Sequence, residues 1–211
     1  MKMKGKFITL EGNDGSGKTT IALKVVESLQ QEGYEVLYTR EPGGIQISEK
    51  IREIILDPDY TMMDGRTEAL LYAAARRQHL VEKVLPALQE GKIVICDRFV
   101  DSSLAYQGVA RGLGIDAVYE INRFAIEDCM PDATIFLKVD IETGMKRIAF
   151  RKGMDRLDQE GESFHRLVAK GYEEVLQRYP ERFQIVDATR GVEQVYADTL
   201  TLIRNLVNGN D

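Results

Sequence analysis

The 211-residue chain predicts an α/β domain with a parallel sheet covered by helices on both faces. Three observations carry that expectation. Short apolar runs alternate with helix-period segments along the chain. The first apolar run leads straight into Gly12-Asn13-Asp14-Gly15-Ser16-Gly17-Lys18-Thr19, a full match to G-x-x-x-x-G-K-[ST]. A second buried run, Ile93-Val94-Ile95-Cys96, closes on an aspartate, Asp97.

In order, Phe7–Leu10 reads as a buried strand, and Thr20 onward as a helix with Ala22, Val25, Val26 and Leu29 at helical spacing until Gly33 stops it. Val36–Thr39 reads as a second strand, Glu49–Leu56 as a helix ending before Pro58, and Thr67–Gln89 as a long helix. After Gly91 comes strand 93–96, then a helix over Ala117–Ile126 ending near Pro131. Thr134–Val139 is a strand, with Asp140 placed to cap the next helix. Leu167–Leu176 is helical, Phe183–Val186 a last strand and Val192–Leu206 a terminal helix. No linker-like stretch or repeat interrupts the pattern, so one domain is expected over 1–211, with ligands at the carboxyl ends of the strands.

Composition narrows the class. Apolar residues make up 44%, aromatics 8% and charged residues 29%, with a net charge of −6. An acidic balance argues against bulk binding to nucleic acid or anionic membranes. No apolar run reaches the roughly 18 residues of a membrane span, and the N-terminus lacks a signal-peptide core. Cys96 and Cys129 suit a reducing, cytoplasmic setting, and no disulfide between them is expected.

The glycines of the phosphate-binding loop let successive N–H groups turn inward toward phosphate oxygens, at a helix N-terminus that carries a partial positive charge. Lys18 is expected to reach the β- and γ-phosphates and the Thr19 hydroxyl to coordinate Mg2+, with ATP-type ligands the implied class. Asp97 has the position of a carboxylate that helps hold Mg2+; the alternative is a helix cap or surface turn. In Thr39-Arg40-Glu41-Pro42-Gly43-Gly44, Arg40 either meets a phosphate or pairs with Glu41. Tyr72 and Arg76 lie four apart on one helical face, a pair able to stack on a base and bond its edge, whereas Arg77 points elsewhere; ordinary core packing and solvated arginines are the competing reading. The basic stretch Arg147, Arg151, Lys152, Arg156 is either a solvated loop or a lid supplying an arginine to a phosphoryl-transfer transition state.

Taken together, Gly12–Thr19, Thr39–Gly44, Asp97-Arg98-Phe99 and Asp101-Ser102-Ser103-Leu104-Ala105-Tyr106-Gln107-Gly108 resemble the thymidylate kinases of bacterial type, over nearly the whole chain. That resemblance implies a P-loop NTPase three-layer sandwich of nucleoside monophosphate kinase-like type, with a five-stranded parallel sheet. It implies Mg2+-dependent transfer of the ATP γ-phosphoryl group to dTMP in a homodimer. ATP would then meet Gly12, Asn13, Asp14, Gly15, Ser16, Gly17, Lys18, Thr19, Thr20 and, over adenine, Arg147. Asp14 would accept from the dTMP 3′-hydroxyl, Arg98 would grip the dTMP phosphate and the transferred group, and Arg40 and Arg52 would lie nearby. Tyr72 stands where many relatives carry Phe to stack on thymine; Arg76, Ser103 and Gln107 would read the base edge, and Tyr106 would crowd the sugar 2′ position. With no basic residue at positions 13–16 of the loop, the chain looks like the subtype whose lid, at about 148–160, supplies the catalytic arginine. Arg156 is the favoured candidate and Arg151 stays open.

Two other readings compete. Another nucleotide kinase would differ in the acceptor-base residues. A GTP-dependent switch would require an Asn-Lys-x-Asp motif, which the chain lacks. Neither His79 nor His165 is expected to act as a base. Leu70, Ala74, Val81 and Leu85 could serve core or interface.

Overall fold

The computed structural model describes residues 5–149 and 155–209, with side chains from 148 to 154 left aside. The strands are β1 (Lys6–Glu11), β2 (Val36–Arg40), β3 (Ile93–Asp97), β4 (Ala133–Lys138) and β5 (Phe183–Asp187). They form one parallel sheet in the order β2-β3-β1-β4-β5. The helices are α1 (Lys18–Gln31), α2 (Gln46–Leu56), α3 (Gly65–His79), α4 (Leu85–Gln89), α5 (Val100–Ser103), α6 (Ile115–Ile126), α7 (Ile141–Ala149), α8 (Glu162–Arg178) and α9 (Val192–Asn208).

Alternation along the strands builds the layers. Phe7, Val94, Cys96 and Phe136 pack into one apolar cluster with Leu104, Tyr172 and Val175. Ile8, Leu10, Ile95, Ile135 and Leu137 point the other way, against Val25 and Leu29 of α1 and Leu200 and Ile203 of α9. With both faces covered, β3 is buried along its whole length, which is why it reads as a continuous apolar run.

The strands and most helices follow the sequence expectation within a few residues. Asp140 accepts from the Thr143 backbone N–H at 2.8 Å, as its capping position predicts. Two departures have a local cause. The long helix expected over 67–89 contains a π turn at Leu80–Val84, where the Leu85 N–H reaches back to the Leu80 carbonyl just ahead of Pro86. Pro86 has no N–H to continue a regular ladder, and the wider turn absorbs that loss. After β3, α5 runs into a second π turn, Leu104–Ala110, which the sequence pattern does not signal because its first five residues are all buried.

Candidate active site

The phosphate-binding loop joins β1 to α1 at the carboxyl edge of the central strand. Its curl requires glycine: Gly15 has φ +77°, and a Cβ there would lie 2.2 Å from the Gly144 carbonyl oxygen. The Lys18 ammonium is buried and donates to the Gly12 and Asn13 carbonyls, both at 2.9 Å. Burial and the neighbouring Arg98 pull its pKa down, with Asp14, Asp97 and Glu11 opposing them, leaving it at about 8. The Thr19 hydroxyl donates to Asp97 Oδ2 at 2.5 Å, so the two predicted metal-site residues meet across the sheet edge.

Behind the loop lies Arg98, a non-glycine residue at φ +71°, a conformation held by its surroundings. Its guanidinium donates to Asp14, and to Ser102 Oγ and Tyr172 Oη at 3.1 Å each. Tyr106 donates to the other Asp14 oxygen at 2.5 Å. Burial alone would raise the Asp14 pKa, but Arg98, Lys18 and the Tyr106 hydrogen bond outweigh it and hold the carboxyl well below the usual range. Glu11, fully buried beneath this cluster, accepts from the Phe99 N–H (2.7 Å), Ser102 Oγ (2.6 Å) and Tyr172 Oη (2.9 Å). Desolvation and the nearby Asp101 raise its pKa to about 7.

A cleft of about 680 Å³ runs from this loop past Arg40 and Arg52 to Tyr72, Arg76, Ser103, Tyr106 and Gln107. Arg76 is 2% exposed. It donates to Glu41 at 2.7 Å, to the Phe99 carbonyl at 3.0 Å, to Ser103 Oγ at 3.2 Å and to Asn122, with its guanidinium 5.1 Å from the Phe99 ring centroid. Arg77 faces the other way, bonding the Ala125 carbonyl and pairing with Glu127. The solvated-arginine alternative therefore holds for Arg77 and not for Arg76.

Arg40 does not pair with Glu41. It pairs with Glu49 at 2.8 Å, and its Nη1 and that of Arg52 both donate to the Pro42 carbonyl, which follows a cis Glu41–Pro42 bond. Glu41 is instead claimed by Arg76 and His79, and His79 also bonds Thr39 Oγ1 at 2.7 Å, a structural role for that ring. Burial raises the Glu41 pKa, yet the Arg76 charge and the His79 hydrogen bond keep it below the ordinary value.

Arg147 bonds the Gly15 carbonyl from behind the loop and the Ala188 carbonyl after β5, each at 3.2 Å. Arg156 departs from the sequence expectation. Its guanidinium is 4% exposed, donating to the Ile55 carbonyl at 2.7 Å and pairing with Glu68 at 2.6 Å, and it does not line the cleft. A buried carboxylate offers a stronger partner than the open cleft, so Arg156 anchors segment 155–160 to α2 and α3 instead of facing the phosphates. The other candidate, Arg151, lies outside the described residues. Glu11, Glu68 and Tyr172 were not singled out from sequence: an isolated acidic residue or tyrosine carries no spacing signal, although Glu11 directly precedes the phosphate loop, and Glu41 was considered only as a partner for Arg40.

A parallel sheet with a phosphate loop at its central strand, a Thr–Asp pair beside it and an arginine-lined cleft that runs on to Tyr72, Phe99 and Tyr106 is the architecture of a P-loop nucleotide kinase. The thymidylate kinase family model matches residues 10–199. The chain is 59% identical over 210 residues to the thymidylate kinase of Bacillus licheniformis, spanning 99% of each sequence, and 56% identical to that of Oceanobacillus iheyensis, spanning 98% of this chain and 92% of the relative. The crystal structure of thymidylate kinase from Ehrlichia chaffeensis superposes with a TM-score of 0.77 at 32% identity, covering 95% of this chain and 98% of that one. The chain belongs to the thymidylate kinase family.

Proposed function

We propose that the protein transfers the γ-phosphoryl group of ATP to dTMP, giving dTDP and ADP. The observation that carries this reading is the single cleft, with the phosphate loop at one end and Tyr72, Arg76, Ser103 and Gln107 at the other. An acceptor monophosphate lying along it would direct its base toward that far pocket and its phosphate toward Arg98. The nucleophile is a phosphate oxygen that needs no strong base, so catalysis is alignment plus charge neutralisation.

In this reading Lys18 and the loop N–H groups hold the ATP phosphates, and Arg147 closes the adenine side. Arg98, its guanidinium fixed by Asp14, Ser102 and Tyr172, meets the acceptor phosphate and the group in flight; Arg40 and Arg52 add charge beside it. Asp14 and Tyr106 bracket the sugar. Thr19 and Asp97 fit Mg2+, since a hydroxyl and a carboxylate oxygen 2.5 Å apart are hard donors of the kind that ion takes. When bound, Mg2+ neutralises phosphate charge. Segment 155–160 belongs to a lid at about 148–160 within one kinase domain, and with Arg156 committed to Glu68 the remaining candidate for its catalytic arginine is Arg151.

A homodimer is supported by exposed apolar side chains on three neighbouring helices: Ile47 and Ile54 on α2, Leu70 on α3 and Phe124, 90% exposed, on α6. The two free thiols suit the cytoplasm. No described helix is long and apolar enough to cross a membrane.

An ADP-release assay with ATP, Mg2+ and dTMP, dUMP, UMP, dCMP, dGMP or AMP tests the reading. Strong preference for dTMP is expected. Turnover with a different monophosphate would keep the kinase and replace the acceptor.

A further inference from the structure

Gln107 is almost fully buried at the base end of the cleft, and its two amide ends are in different situations. Nε2 donates to Glu68 Oε1 at 2.8 Å. Oε1 is enclosed and has no hydrogen-bond partner among the described residues. An ionised carboxylate only accepts, so the amide cannot turn over without setting oxygen against oxygen.

Glu68 is itself held by several partners. It is fully buried on α3 and accepts from Arg156 at 2.6 Å and from Arg111 Nη2 at 3.1 Å. Arg111 is held in turn by Glu160 at 2.6 Å and lies 4.4 Å from the Phe164 ring centroid. Burial raises the Glu68 pKa, but the Gln107 hydrogen bond and the two arginines bring it below the ordinary value.

We propose that Glu68 is a positioning residue for acceptor specificity: it locks the Gln107 amide so that Oε1 is offered as an acceptor to a base N–H, selecting pyrimidines with a protonated N3 over cytosine, whose N3 is itself an acceptor. The inference rests on the dTMP-kinase reading and assigns the part of its base recognition that lies one residue behind the cleft wall. An enclosed acceptor without a partner is unfavourable, so a base that supplies the missing N–H gains and one that presents a lone pair loses twice. Because Arg156 comes from segment 155–160, the same carboxylate secures both the base-reading amide and that segment.

The test is kcat/KM for dTMP and dCMP in the wild type, Glu68→Gln, Gln107→Leu and the double variant. Glu68→Gln should lower the dTMP-to-dCMP ratio by about 10-fold or more, the cost of one misdirected hydrogen bond. In the Gln107→Leu background the same change should leave the ratio where it is, because Glu68 acts through that amide. Equal losses with both substrates, or additive effects on the ratio, would overturn the proposal. Should Glu68→Gln fail to fold, Glu68→Asp keeps the charge for Arg111 and Arg156 while withdrawing the carboxylate from Gln107, and must give the same fall in ratio. A wild type without dTMP preference would instead bring down the acceptor reading, and this inference with it.

Discussion

The two ends of the cleft are built in opposite ways. At the phosphate end, eight consecutive residues and the turn they force do most of the shaping, with backbone amides and a helix terminus as the working parts. At the base end, Arg76 alone is held by Glu41 after β2, Phe99 and Ser103 after β3, and Asn122 on α6. Binding through backbone geometry is a local property of the chain. Binding through side-chain edges needs partners brought from far away, and each carries a desolvation cost that only the assembled fold offsets.

Substitutions can sharpen or break that contrast. The largest expected effect belongs to the proposed lid arginine: Arg151→Ala should cut kcat by about 10³-fold or more while dTMP binding holds, with a much smaller kcat loss for Arg156→Ala. The reverse ranking in single-turnover kinetics would return the role to Arg156. Next, Arg76→Ala should destabilise the fold by about 3–5 kcal/mol in urea unfolding, because Glu41 loses its buried counter-charge, and should raise KM for dTMP. Lys18→Ala should lower kcat by roughly 10²–10³-fold with almost no change in unfolding midpoint, since its partners are loop carbonyls that water can satisfy. Comparable loss of stability in both variants would erase the distinction between the two ends.

The smallest effects concern pH and two carboxylates at the phosphate end. The raised pKa of Glu11 means the folded state holds its proton more tightly than the unfolded chain. Its stabilising contribution is present below about pH 4.5 and is lost as pH rises toward 7, a swing of up to about 3 kcal/mol. Asp14 has the opposite sign: its depressed pKa stabilises the fold above the ordinary aspartate range, and that stability disappears as pH falls through the folded value. Denaturation between pH 3 and 8 should show Glu11→Gln flattening the upper part of the profile and Asp14→Asn the lower part.

Legibility along the chain follows the same division. The strands and most helices were readable because burial imposes a period on contiguous residues, as in β3 and α1. The π turn at 104–110 was not, since the burial of five consecutive residues leaves no period to read, nor was the one at 80–84, where a proline's lost hydrogen bond can be absorbed in several ways. Tyr72 and Arg76 could be paired from their four-residue spacing. Spacing left Arg40 open between a phosphate and Glu41, its neighbour in sequence; it could not point to Glu49, its neighbour in space.

An α/β protein with a phosphate loop after its first strand was written in the order of residues along the chain, as were enough motifs to resemble one kinase family. Those features depend on backbone conformation and local period, which a short stretch of residues specifies. Which carboxylate each arginine serves emerged with the folded arrangement: Glu41 for Arg76, Glu49 for Arg40, Glu68 for Arg156. A charged side chain has many partners along a chain with 28 basic and 34 acidic residues, and burial selects one by excluding water from the rest.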